Sequence, residues 1–207
     1  MIPRAARAFL CCALAVVALG AFGATGAVAS PAWLFEGSEL VGAENVAGDA
    51  VLGSLTIPGL TTTCKKTHYE MTISNNLGKG KATVKELAYT TCSTSSSACT
   101  VEVMGAEALP WAGKLIVGKG GGNYLVVEGV KISILYGGAL CVLGETWVTI
   151  KGSAGALYDN STETFTFSPA SFAATGTKLS ALGSSIEWNA SFTTEAEFHA
   201  GEALTVG

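Results

Sequence analysis

Four cysteines, Cys64, Cys92, Cys99 and Cys141, carry the widest choice of chemistry in this chain. Thiolates bind zinc, exchange electrons, attack carbonyls or pair as disulfides. A zinc site wants close-set ligands such as a C-x2–4-C knuckle, and sequence separations of 28, 7 and 42 residues offer none. The two histidines, His68 and His199, stand at no ligand spacing from a cysteine. A redox pair wants Cys-x-x-Cys at a helix start, which is absent. No metal and no cofactor is therefore expected. Pairing as disulfides is the remaining chemistry, and the even count of four, once Cys11 and Cys12 in the apolar start of the chain are set aside, is compatible with it. Three pairings are open. The favoured one joins Cys92 to Cys99 and Cys64 to Cys141. The first bridge would staple the Ser/Thr-rich loop TTCSTSSSACT, adding roughly 2.5 kcal/mol on the chain-entropy model. The second would tie non-adjacent strands.

Other catalytic chemistry is poorly supplied. His68 lies among Lys66 and Glu70 on one strand face and His199 ends another, so both read as solvent-facing strand histidines. No G-x-S-x-G elbow is present. VGKGGGN lacks the G-K-[ST] ending of a phosphate loop and reads as a hairpin turn. Paired carboxylates remain, because glycoside hydrolysis needs only two. Glu187, Glu195 and Glu197 share one face of a strand at roughly 6.5 Å per two residues. Glu128 and Glu145 fall in neighbouring candidate strands. Acidic residues on a solvated face explain both sets without catalysis, and no catalytic residue is assigned. Asp49 and Asp159 do not form a D-x-D-x-D calcium loop. Two tryptophans are the candidates for ligand binding: Trp111, in a Pro-Trp-Ala-Gly turn, and Trp33, near Pro31. Trp147 and Trp188 sit inside strand patterns and are expected in the core. Asn160-Ser-Thr162 and Asn189-Ala-Ser191 match the glycosylation acceptor pattern, with Asn189 on an outward face.

The start of the chain sets the compartment. Arg4 and Arg7, an apolar stretch from Ala8 to about Phe22 and the Ala27-Val28-Ala29 signal make the pattern of a secretory signal peptide over 1–29. The remainder contains ten lysines, no arginine and 16 acidic residues, a net charge near −6. Without a basic cluster, nucleic acid and anionic membrane surfaces are not expected partners. Nothing after residue 30 is apolar for long enough to span a bilayer.

The elements that must position these residues read as strands. Residues 30–60 form an N-terminal arm ending in a first strand at 50–57, and 61–207 complete a single all-β domain. Tyr69, Met71 and Ile73 share one face, with Lys66, His68 and Glu70 on the other. Further strands are expected at 81–91, 100–104, 114–117, 124–136, 141–151 and 163–168. Over 124–136, Tyr124, Val126, Val130, Ile132, Ile134 and Tyr136 share one parity. In IEWNASFTTEAEFH, Ile186, Trp188, Ala190, Phe192, Ala196 and Phe198 alternate with polar residues, a half-buried antiparallel strand. Residues 170–182 have room for one helical turn. Eight to ten strands with 26 glycines predict an antiparallel β-sandwich or barrel-like domain with a disulfide-stapled loop. The echo between Phe35–Leu40 and Phe198–Leu204 reads as chance in a Gly/Ala/Leu-rich chain.

An Ala-rich leader is followed by a Cys-containing β-rich region from Cys64 to about Phe198. Thr91-Cys92 and Ala98-Cys99-Thr100 are its most distinctive part. This layout resembles small secreted proteins of high-GC Gram-positive soil bacteria, to which no activity is assigned. The resemblance implies no enzymatic role. The expectation is an exported, secreted or cell-surface, non-enzymatic structural or binding protein whose partner is an extracellular glycan or protein. A carbohydrate-binding module or weak glycan-active enzyme is one alternative. A hydrolase inhibitor acting through the 92–99 loop is another.

Overall fold

The computed structural model describes residues 30–141, 143–197 and 201–207. The leader with its Ala27–Ala29 signal, and with them Phe198 and His199, lie outside the described residues.

Long alternating runs become long strands. They are β3 (Ala43–Ile57), β4 (Leu60–Asn75), β5 (Gly80–Thr94), β8 (Asn123–Gly137), β9 (Thr146–Asp159) and β12 (Ser184–Thr193). Shorter strands fill the intervals: β6 (Thr100–Ala106), β7 (Trp111–Val117), β10 (Thr164–Phe167), β11 (Leu179–Ala181) and β13 (Glu195–Ala196). All pairings are antiparallel, as the expected class requires.

The pairings close on themselves. From β3 the ladder runs through β4, β5, β7, β8, β9, β11 and β12, and β12 pairs back onto β3. β10 and β11 each lie between β9 and β12, so together they occupy one strand position. The expected sandwich-or-barrel alternative therefore resolves as barrel-like closure, which leaves few free edges. The excursion between β10 and β11 carries α1 (Pro169–Thr175), seven residues and so about two turns where one was expected, capped reciprocally by Ser168 and Ser171 and ended by Gly176 at φ 68°. Ala154 and Ala156 face the core, and Gly155 between them faces α1. There a Cβ would meet Thr175 Oγ1 at 2.1 Å, so α1 packs on the barrel's outside.

Closure demands close approach at one further point. A Cβ on Gly48 would fall 1.7 Å from the Thr193 carbonyl oxygen, so only glycine lets β3 pass the end of β12. At the same place β12 gives way to β13, yet the alternation read from sequence continues, with Thr194 buried, Glu195 exposed and Ala196 partly buried. Within β12 that alternation holds: Ile186, Trp188, Ala190 and Phe192 are buried while Glu187, Asn189 and Ser191 are exposed.

The uniform parity expected along 124–136 does not survive. A bulge at Glu128–Gly129 shifts the β8–β9 register between Val127 and Val130. Leu125 and Val127 therefore face the core before it, and Val130, Ile132, Ile134 and Tyr136 after it. One inserted residue reverses the side-chain faces, and Gly129 accepts the left-handed φ of 72° that the bulge needs.

The two barrel ends are closed by different means. At one end a three-stranded sheet of β14 (Leu204–Val206), β1 (Trp33–Phe35) and β2 (Ser38–Glu39) forms a plug. The segments noted as an echo here become partners, with Phe35 opposite Leu204. Trp33 is fully buried, edge-on to Tyr158 and Phe165 at 6.1 Å each. Its indole N–H donates to the Lys81 carbonyl at 2.7 Å. Asn75 accepts from the Trp33 N–H and donates to the Trp33 and Leu40 carbonyls. Asn160 bonds both ways with Val206.

The opposite end holds both disulfides, and their pairing corrects the expected one. Cys64 bonds Cys92 and Cys99 bonds Cys141. Register is the reason: β4 and β5 place Cys64 directly opposite Cys92. The Cys92–Thr100 loop thus has no bridge of its own. A hydroxyl stabilises it instead: Thr94 Oγ1 lies 2.7 Å from the Ser96 carbonyl and 2.8 Å from the Cys99 carbonyl, which share its one hydrogen. The loop is held against its neighbours by the Ser95 N–H to Thr61 bond and by Cys99–Cys141. At Gly138, φ 112°, a Cβ would lie 2.3 Å from the Ala98 carbonyl oxygen, so glycine permits that clasp.

Candidate functional site

The interior is filled. Aromatic rings from β4, β10 and β12 meet across it: Phe167 stacks on Trp188 at 4.3 Å, and Tyr69 stands edge-on to Phe192 at 5.3 Å. What remains among them is an apolar cavity of about 40 Å³. A ligand pocket for a drug-sized molecule is several hundred Å³, so the barrel interior is a core rather than a binding chamber.

Both tryptophans expected to bind ligand belong to that packing. Trp33 is inside the plug, and Trp111 lines the interior cavity with its indole N–H donating to the Glu107 carbonyl at 2.9 Å. The Pro-Trp turn was expected to expose the ring. Instead Trp111 opens β7 immediately after Pro110 and points inward. Trp188 is buried as expected. Trp147, expected in the core, is 55% exposed. β9 begins at Thr146, and Val148 and Ile150 take its inward positions, which leaves Trp147 on the outer face.

That outer face is organised. Register aligns Val103 of β6, Leu135 of β8 and Trp147 of β9 as one cross-strand row, with Val103 also exposed. The next row is Gly105, Ser133 and Thr149, with Ser133 and Thr149 hydroxyls 3.3 Å apart. Lys131 and Lys151 follow, and Lys131 ion-pairs with Glu107. That pairing, with a Ser133 hydrogen bond, holds the Glu107 carboxyl below its usual range. Beside the apolar row lies a groove of about 620 Å³ bounded by Glu102, Leu135, Gly137, Gly138 and Glu145. Thr100 Oγ1 donates to Glu102 Oε1 at 2.6 Å and fixes that carboxylate. The Cys64–Cys92 disulfide packs against β6 here: Met104 Sδ lies 3.6 Å from Cys64 Sγ and 3.8 Å from Cys92 Sγ. With both cysteine sulfurs oxidised there is no S–H to donate, so these are packing contacts between polarizable atoms.

The remaining sequence candidates are dispersed. Glu128 ion-pairs with Lys114 at 2.6 Å, and that hydrogen bond lowers its pKa. Glu145 precedes Thr146, which pairs with Tyr136, eight positions along β8 from Glu128 and so roughly 27 Å away. That is far beyond the separation of a glycosidase pair. Glu195 and Glu197 face a second groove, where Asn45 donates to Glu197 Oε2 at 2.9 Å and accepts from Lys85 at 3.1 Å. Both carboxylates stand on a solvated face.

His68 has a partner the sequence reading missed. Its Nδ1 lies 2.9 Å from Asp49 Oδ1, while Lys66 reaches Asp49 Oδ2 at 2.9 Å. Hydrogen bonds from Lys66 first and His68 second hold the Asp49 carboxyl below its ordinary value. A histidine oriented by an aspartate is half of a hydrolytic triad. Here the other nitrogen, Nε2, faces Glu70 at 3.7 Å rather than a hydroxyl or thiol. The β3–β4 register, with Asp49 opposite His68, supplied the pair. Among the described residues no three His, Cys, Asp or Glu side chains are grouped to hold a metal. No helix among them is long and apolar enough to cross a membrane.

Of the two sequons, Asn160 is committed to the plug through both amide atoms, whereas Asn189 is exposed on β12. Trp147 is the one tryptophan of the four left on the outer surface. No family model, no curated protein and no solved structure matches the chain.

Proposed function

We propose that the chain is an exported, non-enzymatic binding protein that works through the outer face of β6, β8 and β9 at the disulfide end. The observation that carries this reading is the placement of the tryptophans. Trp33, Trp111 and Trp188 are used to fill the barrel, and Trp147 is left on the outside in line with Leu135 and Val103. An exposed indole in an apolar row is costly to hydrate and gains most when covered. The four paired cysteines fit an oxidising compartment.

Rigidity supports the same reading. Two disulfides and the Gly138–Ala98 clasp fix the end of the barrel that carries the face. A preorganised surface loses little entropy on binding.

The test is retention of purified protein on washed, insoluble extracellular material from the producing cell. Wild type is expected to be retained, and Trp147→Ala to be released with an unchanged melting temperature. Equal retention of the two proteins contradicts the proposal.

A further inference from the structure

We infer that the groove beside Trp147 binds a neutral glycan, with the indole as the stacking platform and Glu102 and Glu145 as acceptors for sugar hydroxyls. The glycan assignment rests on the binding reading above and names its partner. A sugar ring offers two kinds of surface: an apolar face of C–H groups and a rim of O–H donors. The site presents the complement of both. Trp147 and Leu135 give a flat apolar strip across two paired strands. The groove on the Leu135 side carries a carboxylate at each boundary, Glu102 and Glu145. It is an open depression of about 620 Å³ on the outer face.

The geometry holds one carboxylate for this use. A Cβ on Gly137 would fall 2.7 Å from Glu102 Oε1, so the glycine lets the carboxylate lie over the β8 end. The Thr100 hydroxyl then orients it. A covered carboxylate must stay hydrogen-bonded to avoid a desolvation penalty. Sugar hydroxyls satisfy that need, whereas an aliphatic partner does not.

Charge disfavours anionic occupants, and the protease treatment below separates a basic protein partner from a glycan. The groove is bounded by two carboxylates and no lysine, so an acidic polysaccharide or an anionic bilayer is repelled. A second copy of this chain would bring the same two carboxylates against each other across a two-fold interface.

The experiment measures retention of the purified protein on the washed extracellular material, before and after protease stripping. It is paired with direct binding to neutral polysaccharides (cellulose, a β-1,3-glucan, chitin) and to acidic polygalacturonate. Binding is expected to survive protease treatment and to extend to at least one neutral polysaccharide. Trp147→Ala should weaken it by about thirty-fold, the scale of a hot-spot residue, and Trp147→Phe should restore most of it. Glu102→Gln should weaken it less. Trp147-dependent retention that disappears on protease stripping, or preference for polygalacturonate, overturns the glycan assignment and leaves the binding face standing. A concentration-dependent dimer abolished by Trp147→Ala also overturns it. Absence of Trp147-dependent binding to every material overturns both.

Discussion

The plug end and the disulfide end of the barrel solve the same problem with different chemistry. The plug end buries Trp33 against Tyr158 and Phe165 and saturates its backbone through Asn75 and Asn160. The disulfide end has a thinner seal. Tyr89, Val101, Met104 and Cys141 are only partly buried where they meet the core, and β5 and β6 approach there without forming a ladder. Covalent bonds hold what packing leaves loose. The difference teaches that one barrel can be closed by aromatic packing at one end and by covalent ties at the other, and the tied end is the one that carries the exposed Trp147.

Breaking each closure separately should separate the two ends. Reducing both disulfides, or replacing Cys99 and Cys141 by Ser, removes loop constraints worth on the order of 4 kcal/mol per bond. The loops closed span 28 and 42 residues of separation. Amide hydrogen exchange should then rise in β6 and the second half of β5, while the Trp33–Asn75 region stays protected. Trp33→Ala should do the reverse, at a cost of about 3–5 kcal/mol. Exchange should then increase first in β1 and β14. If the two perturbations loosen the same amides, the ends are not independent.

A smaller effect of opposite sign is expected at the seam. The Tyr89 hydroxyl is buried without a hydrogen-bond partner, and burial drives its pKa upward. An unsatisfied buried hydroxyl is a net cost. Tyr89→Phe should therefore stabilise the protein by about 1 kcal/mol, a rise of a few degrees in Tm. A fall in Tm would show that the hydroxyl is satisfied.

The smallest effect concerns acid. Asp49 is held below 3.8 by Lys66 and then His68, and Glu128 below 4.5 by Lys114. A depressed native pKa contributes stability above the unfolded value, and that contribution is lost as pH falls through the folded value. These groups are half-buried to exposed and open to solvent, so the loss is modest and weakened by salt. Thermal melts should be flat from about pH 8 to 5 and decline only below about 4.

Much of the fold was legible because period two is a strong signal where one strand face is wet, as along β12. It failed where backbone irregularity flipped the faces. Gly129 within the apolar run of β8 was the available sign of a bulge, yet Tyr124 and Val126 were placed with Val130. The disulfide partners were not legible, since pairing Cys64 with Cys92 depends on a register set by the whole β4–β5 hairpin. The burial of Trp33 depends on β14, at the far end of the sequence. Trp147 could have been placed: it shares parity with Glu145, Thr149 and Lys151, whereas Val148 and Ile150 share the other. The Asp49–His68 contact needed the β3–β4 register and left no trace in local sequence.

The central claim is that Trp147 is the working tryptophan, and fluorescence tests it directly. Of four tryptophans, three are buried, so a ligand-dependent change in emission reports on Trp147. Titration with the neutral oligosaccharide of the best-retaining polysaccharide should shift wild-type emission to the blue and protect it from acrylamide quenching. Trp147→Phe should show neither change. Saturable binding with no spectral change in the wild type, or the same change in Trp147→Phe, would contradict the account.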